Sequence, residues 1–71
     1  MKINYDPEAD ALYIKFSEAN VEESDEIAAG MIVDYDNKGN PVGIEILDAS
    51  KIFGGQREMR LELGLTEAIK R

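Results

Sequence analysis

Asp34, Asp36, Gly39 and Glu45 occupy positions 1, 3, 6 and 12 of a frame in which a calcium loop places carboxylates, a sharp glycine turn and a closing glutamate. The fifth position of that frame is Lys38, a cation where a ligand oxygen belongs. The flanking residues alternate as strands do, and a hairpin turn accounts for Gly39 without any metal. Asp6, Glu8 and Asp10 offer a second acidic spacing, but no glycine fills the sixth place and Ser17 stands where the glutamate belongs. Both segments therefore read as turns.

A metal-dependent nuclease needs clustered carboxylates and usually a lysine beside the developing charge. Asp34, Asp36 and Glu45 can face one another on one side of a hairpin, yet no lysine follows an acid by two residues within a strand. There is no His and no Cys, which removes imidazole ligands, thiolate zinc sites and disulfides. Ser17, Ser24 and Ser50 consequently lack an imidazole base, and Lys15 and Lys51 sit in no activating setting. Gly54-Gly55 lacks the surrounding pattern of a phosphate loop and reads as a helix stop. Tyr5, Tyr13 and Tyr35 suit half-buried strand positions better than a platform for bases. No catalytic residue, metal ligand or cofactor is called for.

The elements that carry these residues follow from period-two alternation. Ile3 and Tyr5 alternate with Lys2 and Asn4, and Leu12, Ile14 and Phe16 alternate with Tyr13 and Lys15, on either side of the turn Asp6-Pro7-Glu8-Ala9-Asp10. This is a hairpin of strands near 2–5 and 11–17. Asn20 to Glu26 is either a solvated loop or the exposed start of the next strand. Met31, Val33 and Tyr35 define a third strand over 27–36, bent at Gly30, and Val42, Ile44 and Ile46 a fourth over 42–47. Asp48 and Ser50 are good N-caps for a short helix over Ala49 to Phe53 that drops Ile52 and Phe53 onto the sheet. The expected fold is α+β and mainly antiparallel β: a four-stranded meander of two hairpins with one short helix after strand four. The last segment fits a fifth strand over 57–63 and a short helix capped by Thr66.

Seventy-one residues make one small domain, read as an antiparallel β domain over 1–55 and an amphipathic tail over 56–71 that packs either on the domain or on a second subunit. Eight basic residues against fifteen acids give a net charge of −7. The body holds four Lys and twelve acids, whereas the tail is one positive charge in excess and holds every Arg. A field of carboxylates disfavours nucleic acid and suits a basic protein partner. No window approaches the ~20 apolar residues of a membrane span, and neither a signal-peptide core nor any membrane partner is expected, so the cytoplasm is the expected location. So small a core, without disulfide or metal, favours a homodimer to which the tail contributes.

Three blocks in order carry a resemblance: Tyr5 to Ile14 (YDPEADALYI), Gly30 to Asp36 (GMIVDYD) and Gly39 to Ser50 (GNPVGIEILDAS). Over residues 3–50 the chain resembles the prokaryotic family catalogued as domain of unknown function 2283. The resemblance implies a compact, mostly antiparallel β domain with no established activity. It also implies a neutralising role, because members are often encoded beside a small ribonuclease-toxin-like protein. Lys51 onward lies outside it.

The expected function is a non-enzymatic protein-binding module, antitoxin-like toward a small basic ribonuclease-like protein. Glu22, Glu23, Asp25 and Glu26 would attract that partner, and Met59, Leu61 and Leu63 would anchor it. The alternatives are a metal-dependent enzyme or small-ligand sensor using Asp34, Asp36 and Glu45, and a structural homo-oligomer.

Overall fold

The computed structural model describes residues 1–52 and Gly54. Five strands and one helix follow in the order β1 (Lys2–Asp6), β2 (Ala11–Lys15), β3 (Glu23–Ala28), β4 (Met31–Tyr35), β5 (Pro41–Leu47) and α1 (Ala49–Ile52). All four pairings are antiparallel, and the strands lie side by side as β1-β2-β5-β4-β3.

The two expected hairpins, β1–β2 and β4–β5, are present, but three expectations are corrected. There are five strands, because the stretch expected as one strand over 27–36 is two, turning at Ala29-Gly30. Gly30 has φ +75°, which supplies the reversal at no steric cost, and its carbonyl accepts the Leu47 N–H at 2.8 Å. The sheet is not a simple meander, since the chain leaves β2, runs to the far edge as β3, and returns through β4 to seat β5 beside β2. The helix therefore follows strand five. This order matches burial to composition: Val42, Gly43 and Ile46 of central β5 are buried, whereas all six residues of acidic β3 are exposed at the edge.

Register sets two apolar rows on one face. Tyr5, Leu12, Ile46 and Met31 form the first across β1, β2, β5 and β4, and Ile3, Ile14, Ile44 and Val33 form the second. Leu12 and Ile46 pack with Ala49 of α1 as the centre of the core, against Ile3, Tyr5, Ile14, Met31 and Ile44.

The helix is held from a distance. Asp10 closes the β1–β2 turn with φ +53°, a left-handed conformation that Asp tolerates better than most residues. Its buried carboxylate accepts the Tyr5 Oη–H at 2.7 Å, the Ser50 N–H at 2.9 Å and the Ser50 Oγ–H at 2.6 Å. Its carbonyl takes the Ala49 N–H at 2.9 Å. The capping side chain is thus Asp10, forty positions before Ser50, and not Asp48, whose own φ is +50°. Ala49 and Ser50 are the inward residues of α1 and Ile52 is exposed, contrary to the expectation that Ile52 drops onto the sheet. Phe53, the strand expected over 57–63 and the helix expected at Thr66 lie outside the described residues.

Removing the Asp10 carboxylate removes the acceptor of three hydrogen bonds, two of them buried and one part-buried. Asp10→Ala is expected to lower unfolding stability by about 2–3 kcal/mol, and Tyr5→Phe, which removes one donor, by about 1 kcal/mol. Urea midpoints of the full chain measure both, and equal losses from the two would refute the capping role.

Candidate functional site

Glu22, Glu23, Asp25 and Glu26 come together along one edge of the sheet. Glu22 enters it with its N–H donated to the Tyr35 carbonyl at 2.7 Å, and the other three lie on β3, whose only strand neighbour among the described residues is β4. All four are exposed, and no basic residue occurs from Lys15 to Lys38. Asn20 to Glu26, left open between loop and strand by the sequence, is therefore strand from Glu23. An edge strand in water on both faces shows no apolar alternation, so period-two patterning is silent there.

A strand that buries nothing has to be held by polar bonds, and Asp34 supplies them. Ser24 Oγ donates to Asp34 Oδ1 at 2.6 Å, and Tyr13 Oη donates to Asp34 Oδ2 at 3.0 Å. Tyr13 is on β2 and Asp34 on β4, so the phenol crosses the whole width of β5. It passes over Gly43, which pairs with Asp34 in the β4–β5 register. A Cβ at Gly43 would stand within 2.4 Å of Tyr13 Oη and 2.9 Å of the Ile14 carbonyl oxygen. Three strands are thus linked through one carboxylate, across a fourth at a position that admits no side chain. At the other end of β3, Glu26 Oε2 accepts the Gly30 N–H at 3.2 Å. Gly43, Tyr13, Ser24 and Asp34 were not recognised as one assembly from the sequence. The available signal was a glycine inside a strongly alternating strand, which often marks a close approach by another group.

The acids of the alternative site are divided between two tasks. Asp34 belongs to the crossing just described, and Glu45 lies beside Tyr13 in the β2–β5 register. Asp36 lies beyond β4, where its Oδ1 accepts the Lys38 and Asn40 N–H groups, both at 2.9 Å. Those bonds, that to Asn40 foremost, hold its carboxyl below the usual carboxylate range. Among the described residues no three acidic side chains are grouped to hold a metal ion. Asp36 and Lys38 line an open cleft of about 350 Å³ with Glu22 and Asn40 at the end of the sheet where β3 begins. Tyr5, Tyr13 and Tyr35 are half-buried, and Tyr5 and Tyr13 face opposite sides of the sheet. No helix among the described residues is long and apolar enough to cross a membrane. Met59, Leu61 and Leu63, expected as partner anchors, lie outside the described residues.

A family model described as "Protein of unknown function (DUF2283)" matches residues 2–50. No curated protein and no solved structure matches the chain.

Burial, the hydrogen bond to Asp34 and the charges of Asp34 and Glu45 raise the Tyr13 phenol above its ordinary 10.0. Because the folded chain keeps this proton when the unfolded chain has lost it, the linked stability is complete below pH 10 and is lost as pH rises toward the elevated folded value. A tyrosinate absorbance titration of the chain against Tyr13→Phe is expected to isolate a phenol ionising above 10, and Asp34→Asn to bring it down. Gly43→Ala is expected to displace the ring and lower stability by about 1–3 kcal/mol. A Tyr13 titration unmoved by either change would dissolve the proposed crossing.

Proposed function

We propose that this chain, which belongs to the DUF2283 family, is a non-enzymatic protein-binding module that receives a basic partner along β3. The observation that carries this reading is the outer edge of β3, unpaired among the described residues, in a strand that follows Glu22 and bears Glu23, Asp25 and Glu26 with no basic residue of its own. An exposed edge offers main-chain donors and acceptors in a row, and an incoming strand can satisfy them while its side chains read the charges. Carboxylates spaced along that row attract a cationic surface before contact, which raises the rate of productive encounter.

The partner class follows from the same charge. A ribonuclease that holds an RNA backbone displays clustered Lys and Arg, and an acidic sheet edge competes with RNA for that surface. The finer reading is therefore an antitoxin-like neutraliser of a small basic ribonuclease-like protein, which agrees with the gene neighbourhood the family resemblance implies. Binding of such a partner stabilises the partner's inactive complex without any chemistry on this chain's side.

Glu22, Glu23, Asp25 and Glu26 changed together to Gln keep the side-chain size at the three Glu positions, lengthen exposed Asp25 by one methylene and leave, at position 26, an acceptor for the Gly30 N–H. Surface-immobilised partner encoded beside this chain is expected to bind the full chain with an association rate that falls with salt. The four-Gln variant is expected to associate about ten- to a hundredfold more slowly at low salt, with little change in dissociation. Recovery of nothing but copies of this chain from its native lysate, together with no protection of cells expressing the neighbouring protein, would overturn the proposal.

A further inference from the structure

The side chains of β3 divide by face. Ser24 and Glu26 stand on the polar face, opposite Asp34 and Ile32 of β4, and each is already committed within the chain. Ser24 Oγ donates to Asp34 Oδ1 at 2.6 Å, and Glu26 Oε2 accepts the Gly30 N–H at 3.2 Å. Glu23 and Asp25 stand on the other face, opposite Tyr35 and Val33, so the apolar row Ile3, Ile14, Ile44 and Val33 ends at the edge in the Asp25 carboxylate. Both are exposed, and neither carboxylate takes a hydrogen bond or an ion pair among the described residues.

We propose that β3 selects its partner by this one face. The incoming segment is an extended strand with Lys or Arg at two alternate positions, i and i+2, which meet Glu23 and Asp25, while the residue between them is uncharged and lies beside Ser24. This selectivity rests on the reading of β3 as a binding edge and adds which of its carboxylates discriminate. Period two decides the spacing. A paired strand places its side chains alternately on the two faces whichever direction it runs, so the residues opposite Glu23 and Asp25 are two apart in either orientation. Length decides the number. The register between β3 and β4 shifts between Glu26 and Ala28, and a bulge bends a strand and interrupts its pairing, so the regular run from Glu23 to Glu26 offers that face two positions.

Opposite charges directly across a strand pair attract. A cation placed on the polar face meets instead Ser24, whose hydroxyl already donates to Asp34, or Glu26, whose carboxylate accepts from Gly30. A segment with two adjacent basic residues puts one of them on that face. Two segments of equal charge therefore pair unequally with β3, although long-range attraction draws both to the edge alike. Net charge brings the partner in, and the spacing of its cations decides how well it pairs.

The probes are two capped peptides of one composition, Thr-Lys-Thr-Lys-Thr and Thr-Lys-Lys-Thr-Thr, titrated to ~5 mM against the isotope-labelled full chain. Binding is read from the amide shifts of Glu23–Ala28. The alternating peptide is expected to bind about two- to fivefold more tightly, the discrimination given by one displaced cross-strand charge pair. Glu23→Gln with Asp25→Asn is expected to bring that ratio to one. Glu22→Gln with Glu26→Gln removes as much charge and is expected to weaken both peptides while keeping the preference. Far-UV circular dichroism confirms that both double variants are folded. Shifts at β3 with no preference between the peptides, or a preference that survives the loss of the Glu23 and Asp25 charges, would overturn selection by one face and leave the basic-partner reading standing. No shift at β3 with either peptide would overturn both.

Discussion

A carboxylate with little access to water makes three hydrogen bonds that join the two ends of the described chain. Asp10 binds Tyr5 from its own hairpin and Ser50 from the helix, so β1, the first turn and α1 become a single unit. The importance of that unit follows from how small the core is. Among the described residues only Leu12, Val42, Ile46 and Ala49 are buried hydrophobics. A helix of four residues has no stability of its own, since nucleating a helix costs more than its first bonds return. Ala49 stays on Leu12 and Ile46 because the Asp10 carbonyl and carboxylate take the N–H groups that begin the helix. Without that cap the end of the apolar face over β2 and β5 would be open to water.

Asp34 performs the corresponding task on the polar face. The apolar face can hold β1, β2, β5 and β4 by burial, but β3 brings no buried residue to the sheet. Its backbone pairing with β4 is reinforced by Ser24, and the Asp34 that receives Ser24 is itself positioned by Tyr13 from the other side of β5. Gly43 is the condition for this, because any side chain there would occupy the space of the phenol. An acidic strand can therefore stand at an edge without apolar packing. The binding edge proposed for this protein is in that sense a consequence of a missing Cβ in the central strand.

What could be read from the residues alone divides along the same physical line. Alternation in Ile3–Tyr5, Leu12–Phe16 and Val42–Ile46 is a local property, and it located β1, β2 and β5 within one or two residues. The Asn37–Asn40 turn and the half-burial of the three tyrosines were legible for the same reason. Three features were not. The continuous alternation from Ile27 to Tyr35 concealed a reversal at Gly30, whose positive φ is visible only when the chain has folded. The capping residue of α1 is forty positions from the helix it serves, and a lone Asp in an acidic turn carries no sign of that. The acidic stretch 22–26 stands out in the sequence by its charge, but that charge hides its strand, since polar residues on both faces leave no period to detect.

The charge along β3 has a consequence for assembly. Open sheet edges invite indiscriminate pairing, and natural sheets restrain it with charge. Here β3 carries charge of one sign. Like charges facing each other along a seam destabilise a strand pair, so β3 resists pairing with its own copy. The edge proposed for a basic partner is thereby protected from self-association by the same carboxylates that would attract that partner.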